Sequence, residues 1–167
     1  QNLATAYAEL KDYDNAINSY REVIKINPKI KEVYKLLGDA QMEIPNHLEA
    51  LESYRHALDL SPGSFEQLLD LAIVLEHLGN HNEALSLLKE AIKINPNHPE
   101  CNNRLASCLS TAGNYKEAKI IYKKLMSLVP KAVSPRIDFS SNLIYEGKYD
   151  EAEKILIELV KNNPTKH

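Results

Sequence analysis

The sequence predicts an all-α protein, a right-handed α-solenoid of five helix-turn-helix repeats, each 34 residues long. Three observations carry that prediction. Prolines recur at a fixed interval: Pro28, Pro62, Pro96, Pro130 and Pro164 are 34 residues apart, while Pro45, Pro99 and Pro135 fall off the grid. Other columns keep the same period with no insertion. They are Ala16, Ala50, Ala84, Ala118 and Ala152; Tyr20, Tyr54, Leu88, Tyr122 and Leu156; Leu3, Leu37, Leu71, Leu105 and Phe139; and the small series Ala4, Gly38, Ala72, Ala106 and Ser140. Within each period the apolar residues are spaced for helices, not strands. A fixed period of this length marks an array in which each repeat covers the apolar face of its neighbour.

The third period justifies the elements in order. Leu68, Leu71, Ala72 and Leu75 follow the i, i+3, i+4, i+7 spacing of one face of a first helix. Gly79 stops that helix, and Asn80 is placed to cap the next, as Asp12, Asn46 and Asn114 are in their periods. Ala84, Leu88, Ala91 and Ile92 define the second helix. Asn95-Pro96 ends it, because a residue before proline avoids the helical region. The repeats fall at about 1–30, 31–64, 65–98, 99–132 and 133–167, one domain and a piece of a longer protein. The alanines from Ala16 to Ala152 should be buried where paired helices approach, and the Tyr20 series should be core. Glu49, Glu83, Glu117 and Glu151 lie in the first turn of each second helix, where the macrodipole favours negative charge. Pro45 replaces the turn glycine, while Asn102 and Arg136 replace a large first-helix residue, which predicts looser packing toward the C-terminal end.

Composition excludes several function classes. Twenty Lys and Arg against 23 Asp and Glu give a net charge of −3, which argues against nucleic acid as a partner. No stretch approaches the ~18 apolar residues of a membrane span, and QNLATAYAEL does not read as a signal peptide. Cys101 and Cys108 are seven apart, about 10.5 Å along a helix, too far for a disulfide. They read as buried thiols in a reducing compartment, the cytoplasm. His77 and His81 have the spacing of a metal pair, but Gly79-Asn80 interrupts the helix between them and no further ligands lie near. No phosphate loop, dinucleotide fingerprint or nucleophile elbow is present. No catalytic, cofactor or metal residue is expected.

The columns resemble the tetratricopeptide repeat. Its pattern is a large residue, a Leu-small pair, an aromatic, a turn glycine, an alanine, an aromatic, an alanine and a closing proline. The second repeat supplies Tyr34, Leu37-Gly38, Ala50, Tyr54, Ala57 and Pro62. The resemblance covers essentially the whole chain, with Gln1 entering at the fifth position of the first copy. It implies that first helices line a concave groove through positions 2, 5, 9, 12 and 13 of each repeat.

On those positions the second repeat offers Lys35, Asp39, Met42 and Glu43. The third offers Glu66, Leu69, Ile73, Glu76 and His77, with Asp70 beside them. The fourth contributes Asn103, Ser107 and the adjacent Arg104; the fifth contributes Ile137, Ser141, Ile144 and Tyr145. Leu69, Ile73, Ile137, Ile144 and Tyr145 are large and apolar on a face with no core to fill, the usual mark of a binding surface. The acids exceed Lys35 and His77 around them, so the expected partner is another protein, through a segment carrying basic and apolar residues.

Family functions can be tested on the residues. The carboxylate clamp of tetratricopeptide cochaperones needs Lys, Asn, Asn, Lys and Arg at set positions. This chain has Lys35, Asp39, Asp70, Glu100 and Arg104, or, one repeat on, Leu69, Ile73, Arg104, Ser134 and Asp138; both sets fail. RNA-reading pentatricopeptide proteins have a 35-residue period and a basic groove, and neither feature matches. The NNRLA of Asn102 to Ala106 resembles the repeats that precede O-linked N-acetylglucosamine transferases, but the asparagine ladder of that family stops at Asn2, with Leu36, Asp70, Arg104 and Asp138 after it. The expected function is a non-enzymatic scaffold that binds a peptide segment in its groove. The alternative is the substrate-docking arm of a larger enzyme such as a glycosyltransferase. End-to-end self-association is a further expectation, because Ile155, Leu156, Leu159 and Val160 of the last helix lack the following repeat that would cover them, with only Thr165-Lys166-His167 after Pro164.

Overall fold

The computed structural model of the protein describes residues 2–162. Among them every regular element is a helix: α1 (Asn2–Glu9), α2 (Tyr13–Ile26), α3 (Lys31–Glu43), α4 (His47–Leu60), α5 (Phe65–His77), α6 (His81–Ile94), α7 (Pro99–Thr111), α8 (Tyr115–Leu128), α9 (Ser134–Tyr145) and α10 (Tyr149–Asn162). The helices come as five pairs, each pair a first and a second helix separated by a short turn. Pro164 and Thr165-Lys166-His167 lie outside the described residues. The contacts divide the chain into two compact units, one up to Leu87 and one from Leu88 onward.

In the first unit, the core between α1, α2 and α3 is Ala4, Ala16, Ile17, Tyr20, Val33, Leu37 and Ala40. The five alanines of the Ala16 series are all buried, and so are the four small residues after Ala4 in its series. A methyl in place of anything larger lets two helix backbones approach closely, and the neighbouring aromatic fills the layer beside it. Gly38 shows the limit of this packing. A Cβ built there would lie 2.7 Å from the Tyr54 ring, so only glycine admits that ring against α3.

The turn between the helices of each pair uses a left-handed residue. Gly79, Gly113 and Gly147 have φ of 75–81°. Lys11 and Pro45 hold the same column, with φ of 60° and 23°. Asp12 caps α2 as its position predicts, accepting a hydrogen bond from the Asn15 amide. Asn46 and Asn114 occupy the same position, but their side chains make no capping bond. The Glu49, Glu83, Glu117 and Glu151 column does fall in the first turn of its helices.

The second unit handles its two polar replacements differently from the expected looseness. Asn102 is fully buried, and its Nδ2 donates to the carbonyls of Pro96 and His98 at 2.9 and 2.8 Å. Arg136 donates to the Ala132 and Pro130 carbonyls at 2.6 and 2.7 Å. Each side chain therefore ties down the loop before its own helix, satisfying carbonyls that an apolar residue would leave bare. Asn142 is a third case: buried in an otherwise mostly apolar column, it accepts from the Ser110 hydroxyl at 2.7 Å and donates to the Tyr115 carbonyl. Cys101 and Cys108 are buried thiols outside any disulfide. Burial pushes the Cys101 thiol up to about 11, with Glu100 adding to the effect, so it stays protonated and unreactive.

Candidate functional site

In the first unit, the predicted groove residues of α3 and α5 do meet. The Lys35 ammonium lies 3.0 Å from Asp39 and 3.2 Å from Asp70, bridging one helix to the next. Asp39 is four residues after Lys35, on the same face of α3, so the ammonium finds it within one turn. Tyr54 of α4 completes the cluster by donating its hydroxyl to Asp39 at 2.8 Å. Sequence reasoning placed Tyr54 in the core and missed this; the ring is indeed buried, but its hydroxyl reaches Asp39. The signal available was Gly38, the only glycine in the small-residue series, which lets the ring come close.

The electrostatics follow from that geometry. Burial works against the Lys35 charge, but Asp39 and Asp70 outweigh it and hold the ammonium above its ordinary value. Burial raises the Asp70 carboxyl; Lys35 opposes that, and Asp39 and Glu66 add to it. Burial raises the Tyr54 hydroxyl strongly, with Asp39 next in effect. Around this centre Glu43 accepts from the Tyr13 hydroxyl at 3.1 Å, Glu66 accepts from Ser64, and Glu76 is half-buried. Lys35 thus faces two carboxylates, one from α3 and one from α5.

Leu69 requires a correction. It was expected on a face with no core to fill, yet it is only 7% exposed. Buried residues on α5 run from Gln67 to Leu75 and cover more than one stripe. A helix that is apolar on most of its circumference is buried on most of it. Ile73 and Met42 are half-buried, and His77 is exposed but stacks on His47 with ring centroids 5.0 Å apart. His77 is thereby paired with an imidazole from α4, not with His81.

In the second unit, Asn103 and Arg104 are half-buried on α7, and Ser107 is exposed. Arg104 pairs with Glu100 one turn back at 3.0 Å. The expected apolar exposure on α9 is present: Ile137, Ile144 and Tyr145 are exposed, Tyr145 stacks on Tyr115, and Ser141 bonds to the Ile137 carbonyl. Ile144 also borders an open apolar hollow of about 500 Å³ along α10, with Leu156, Ile157 and Val160.

A periodic feature of the second helices was missed altogether. The Glu column is matched by a basic column, Arg21, Arg55 and Lys89, one repeat back. Arg21 pairs with Glu49 at 2.5 Å, Arg55 with Glu83 at 3.1 Å and Lys89 with Glu117 at 3.5 Å. In the last pair Lys119 takes Glu151, at 2.9 Å. The 28-residue offset between the columns was the signal. The macrodipole account of these glutamates holds beside it, since both effects favour an acid in the first turn.

Among the described residues no helix is long and apolar enough to cross a membrane. Helix pairs repeated in this way define a helical-repeat solenoid, a class whose work is to present surface to other proteins. Two family models, both described as tetratricopeptide repeat, match residues 1–30 and 77–136, together more than half of the chain. The chain belongs to the tetratricopeptide repeat family, and it is a protein–protein interaction scaffold. Similar solved structures agree on the fold. The crystal structure of MamA matches with a TM-score of 0.89 at 23% identity, over 96% of this chain and 87% of that one. YrrB, described as a tetratricopeptide repeat protein with an unusual peptide-binding site, matches at 0.87 and 19%, over 98% and 84%. A tetratricopeptide repeat protein from Parabacteroides merdae matches at 0.93 and 24%, over 98% of this chain and 65% of its own length. No curated protein matches the chain by sequence.

Proposed function

We propose that the chain is a non-catalytic cytoplasmic scaffold whose α3–α5 surface binds a basic peptide segment of another protein. The observation that carries this is the surplus of carboxylates around Lys35. Asp39 and Asp70 already share that ammonium, and Glu43, bonded to the neutral Tyr13 hydroxyl, adds further negative charge on α3. The same arrangement opposes a carboxylate clamp: an acidic chaperone tail would meet Asp39 and Asp70 where the clamp needs asparagines, and Lys35 is already engaged. The exposed apolar face of α10 favours a second reading, association between copies of the chain. The test is fluorescence anisotropy with labelled peptides of matched length, one with lysines flanking a leucine and one with glutamates. The lysine peptide should bind, more weakly as salt rises, and Glu43→Lys with Glu66→Lys should weaken it severalfold. Preference for the glutamate peptide sinks the reading.

A further inference from the structure

In one place the second repeat inverts the placement of polar and apolar residues that the later repeats keep. Gln41 is 2% exposed and stands in the column of Leu75, Leu109 and Leu143, which are fully buried. Ser53, also buried, stands where the later repeats have Leu87, Ile121 and Ile155. On the surface the exchange runs the other way. Leu48 is 68% exposed in a column that otherwise holds Asp14, Asn82, Lys116 and Asp150. A buried polar group and an exposed large apolar one are the two departures that packing alone does not ask for.

All three residues line one open hollow of about 640 Å³ between α2, α3 and α4, a size ordinary for a binding site. It shares no residue with the cluster of Lys35, Asp39, Tyr54 and Asp70. Its floor is a chain of hydrogen bonds. The Ser53 hydroxyl donates to Gln41 Oε1 at 2.7 Å, and Gln41 Nε2 donates to Glu49 at 2.9 Å. Arg21 donates to Glu49 as well. Both donors reach the same oxygen, Oε2, which leaves Oε1 for a donor from outside. The walls are apolar and flat: Ile24 and Leu48 on one part, and on another Tyr34 and His56, with ring centroids 5.3 Å apart. Charges at the rim already have partners, Lys25 in Glu22 at 2.6 Å and Glu52 in Arg55 at 3.5 Å. A cation entering the hollow would meet Arg21 and Lys25, and an anion would meet Glu49 and Glu52. A neutral group with one hydrogen to donate meets neither obstacle.

We infer that this hollow takes a tyrosine or tryptophan side chain of a partner protein, its ring against Tyr34 and Leu48 and its O–H or N–H on Glu49. Those two side chains join a flat apolar body to a single neutral donor, which is why they so often anchor interfaces. The surface is independent of the basic-segment reading above: the anchor here is uncharged, and the residues are different.

The experiment follows backbone amide shifts by NMR in the 167-residue chain as a glycine-tyrosine-glycine peptide, capped at both ends, is added. Shifts should saturate and centre on Gln41, Glu49 and Ser53. The phenylalanine counterpart should bind roughly tenfold more weakly, the loss of one hydrogen bond to a charged acceptor. Gln41→Leu with Ser53→Leu fills the floor with apolar side chains like those of the later repeats, and should abolish binding while the protein melts no lower than the parent. Leu48→Asp, at an exposed position and with the residue its column carries in the first and last repeats, should weaken binding severalfold whatever the floor variant does to folding. Absence of saturating shifts in the parent overturns the site, and so do shifts centred on Lys35 and Asp70. Equal binding of the two peptides overturns the role of Glu49. A Leu48→Asp protein that binds like the parent overturns the placement of the ring.

Discussion

Gly38 is the residue on which the first unit's polar cluster depends. The Tyr54 ring occupies the space that a Cβ would take, and only from there does its hydroxyl reach Asp39. Gly38→Ala improves intrinsic helix propensity by ~1 kcal/mol, but a buried ring cannot move aside freely. Overpacking should win, with a net loss of about 1–3 kcal/mol in denaturant unfolding. Tyr54→Phe should restore little of it, since the ring remains; a Gly38→Ala protein as stable as the parent would show that the ring is not fixed there. Asp70 offers a prediction in pH. Its folded carboxyl binds a proton more tightly than an unfolded aspartate does. Its contribution therefore favours the fold at low pH, and that contribution is lost as pH rises through the raised folded value. Asp70→Asn should melt higher than the parent at pH 7, with the gain shrinking as pH falls through the raised folded value, where the parent's own carboxyl takes up its proton. Lys35 keeps Asp39 as a partner in that variant, so it is not left with an uncompensated charge.

At the scale of the helix pair, period and burial are largely one fact. Each alanine of the Ala16 series is buried because each pair repeats the same close approach, so a column in the sequence is a layer in the structure. That is why helix positions, turns and core were legible from the letters alone. The groove was legible only in part. A position number says which way a side chain is expected to point, but not how high its neighbours stand, and Leu69 holds an expected groove position yet is covered because α5 is apolar most of the way round. The ladder between second helices escaped because its partners lie 28 residues apart, an offset visible only when two columns are compared. Its members are about half exposed, so each pair should contribute ~0–1 kcal/mol, falling with salt. Arg55 also touches Glu52 at 3.5 Å. A double-mutant cycle on Arg55 and Glu83 should give a coupling below about 1 kcal/mol at low salt and near zero in molar salt. Coupling that survives molar salt would mean packing, not charge, joins these side chains.

At the scale of the whole chain, repeat architecture makes stability a sum of local terms between neighbours, and long-range contacts that would spread damage are few. Damage to one pair should then stay near that pair. Leu143 is the position to try: it is fully buried on α9, in the column of Leu75 and Leu109, which are equally buried. Leu143→Ala removes a core side chain where the surroundings can close only partly, at a cost of about 2–5 kcal/mol. In a protein that unfolds all-or-none, every amide would lose protection by the same factor. Here hydrogen exchange should accelerate most in α9 and α10, whose helices pack on each other, and next in α7 and α8, which contact α9. Amides of α2 to α4, in the other compact unit, should keep their parental protection. The reverse substitution, Leu37→Ala on α3, should produce the mirror image, with α1 to α4 exposed first and α9 and α10 unchanged. Equal loss of protection along the chain from either substitution would show that the two units unfold as one cooperative body, and the nearest-neighbour account of this array would have to be given up.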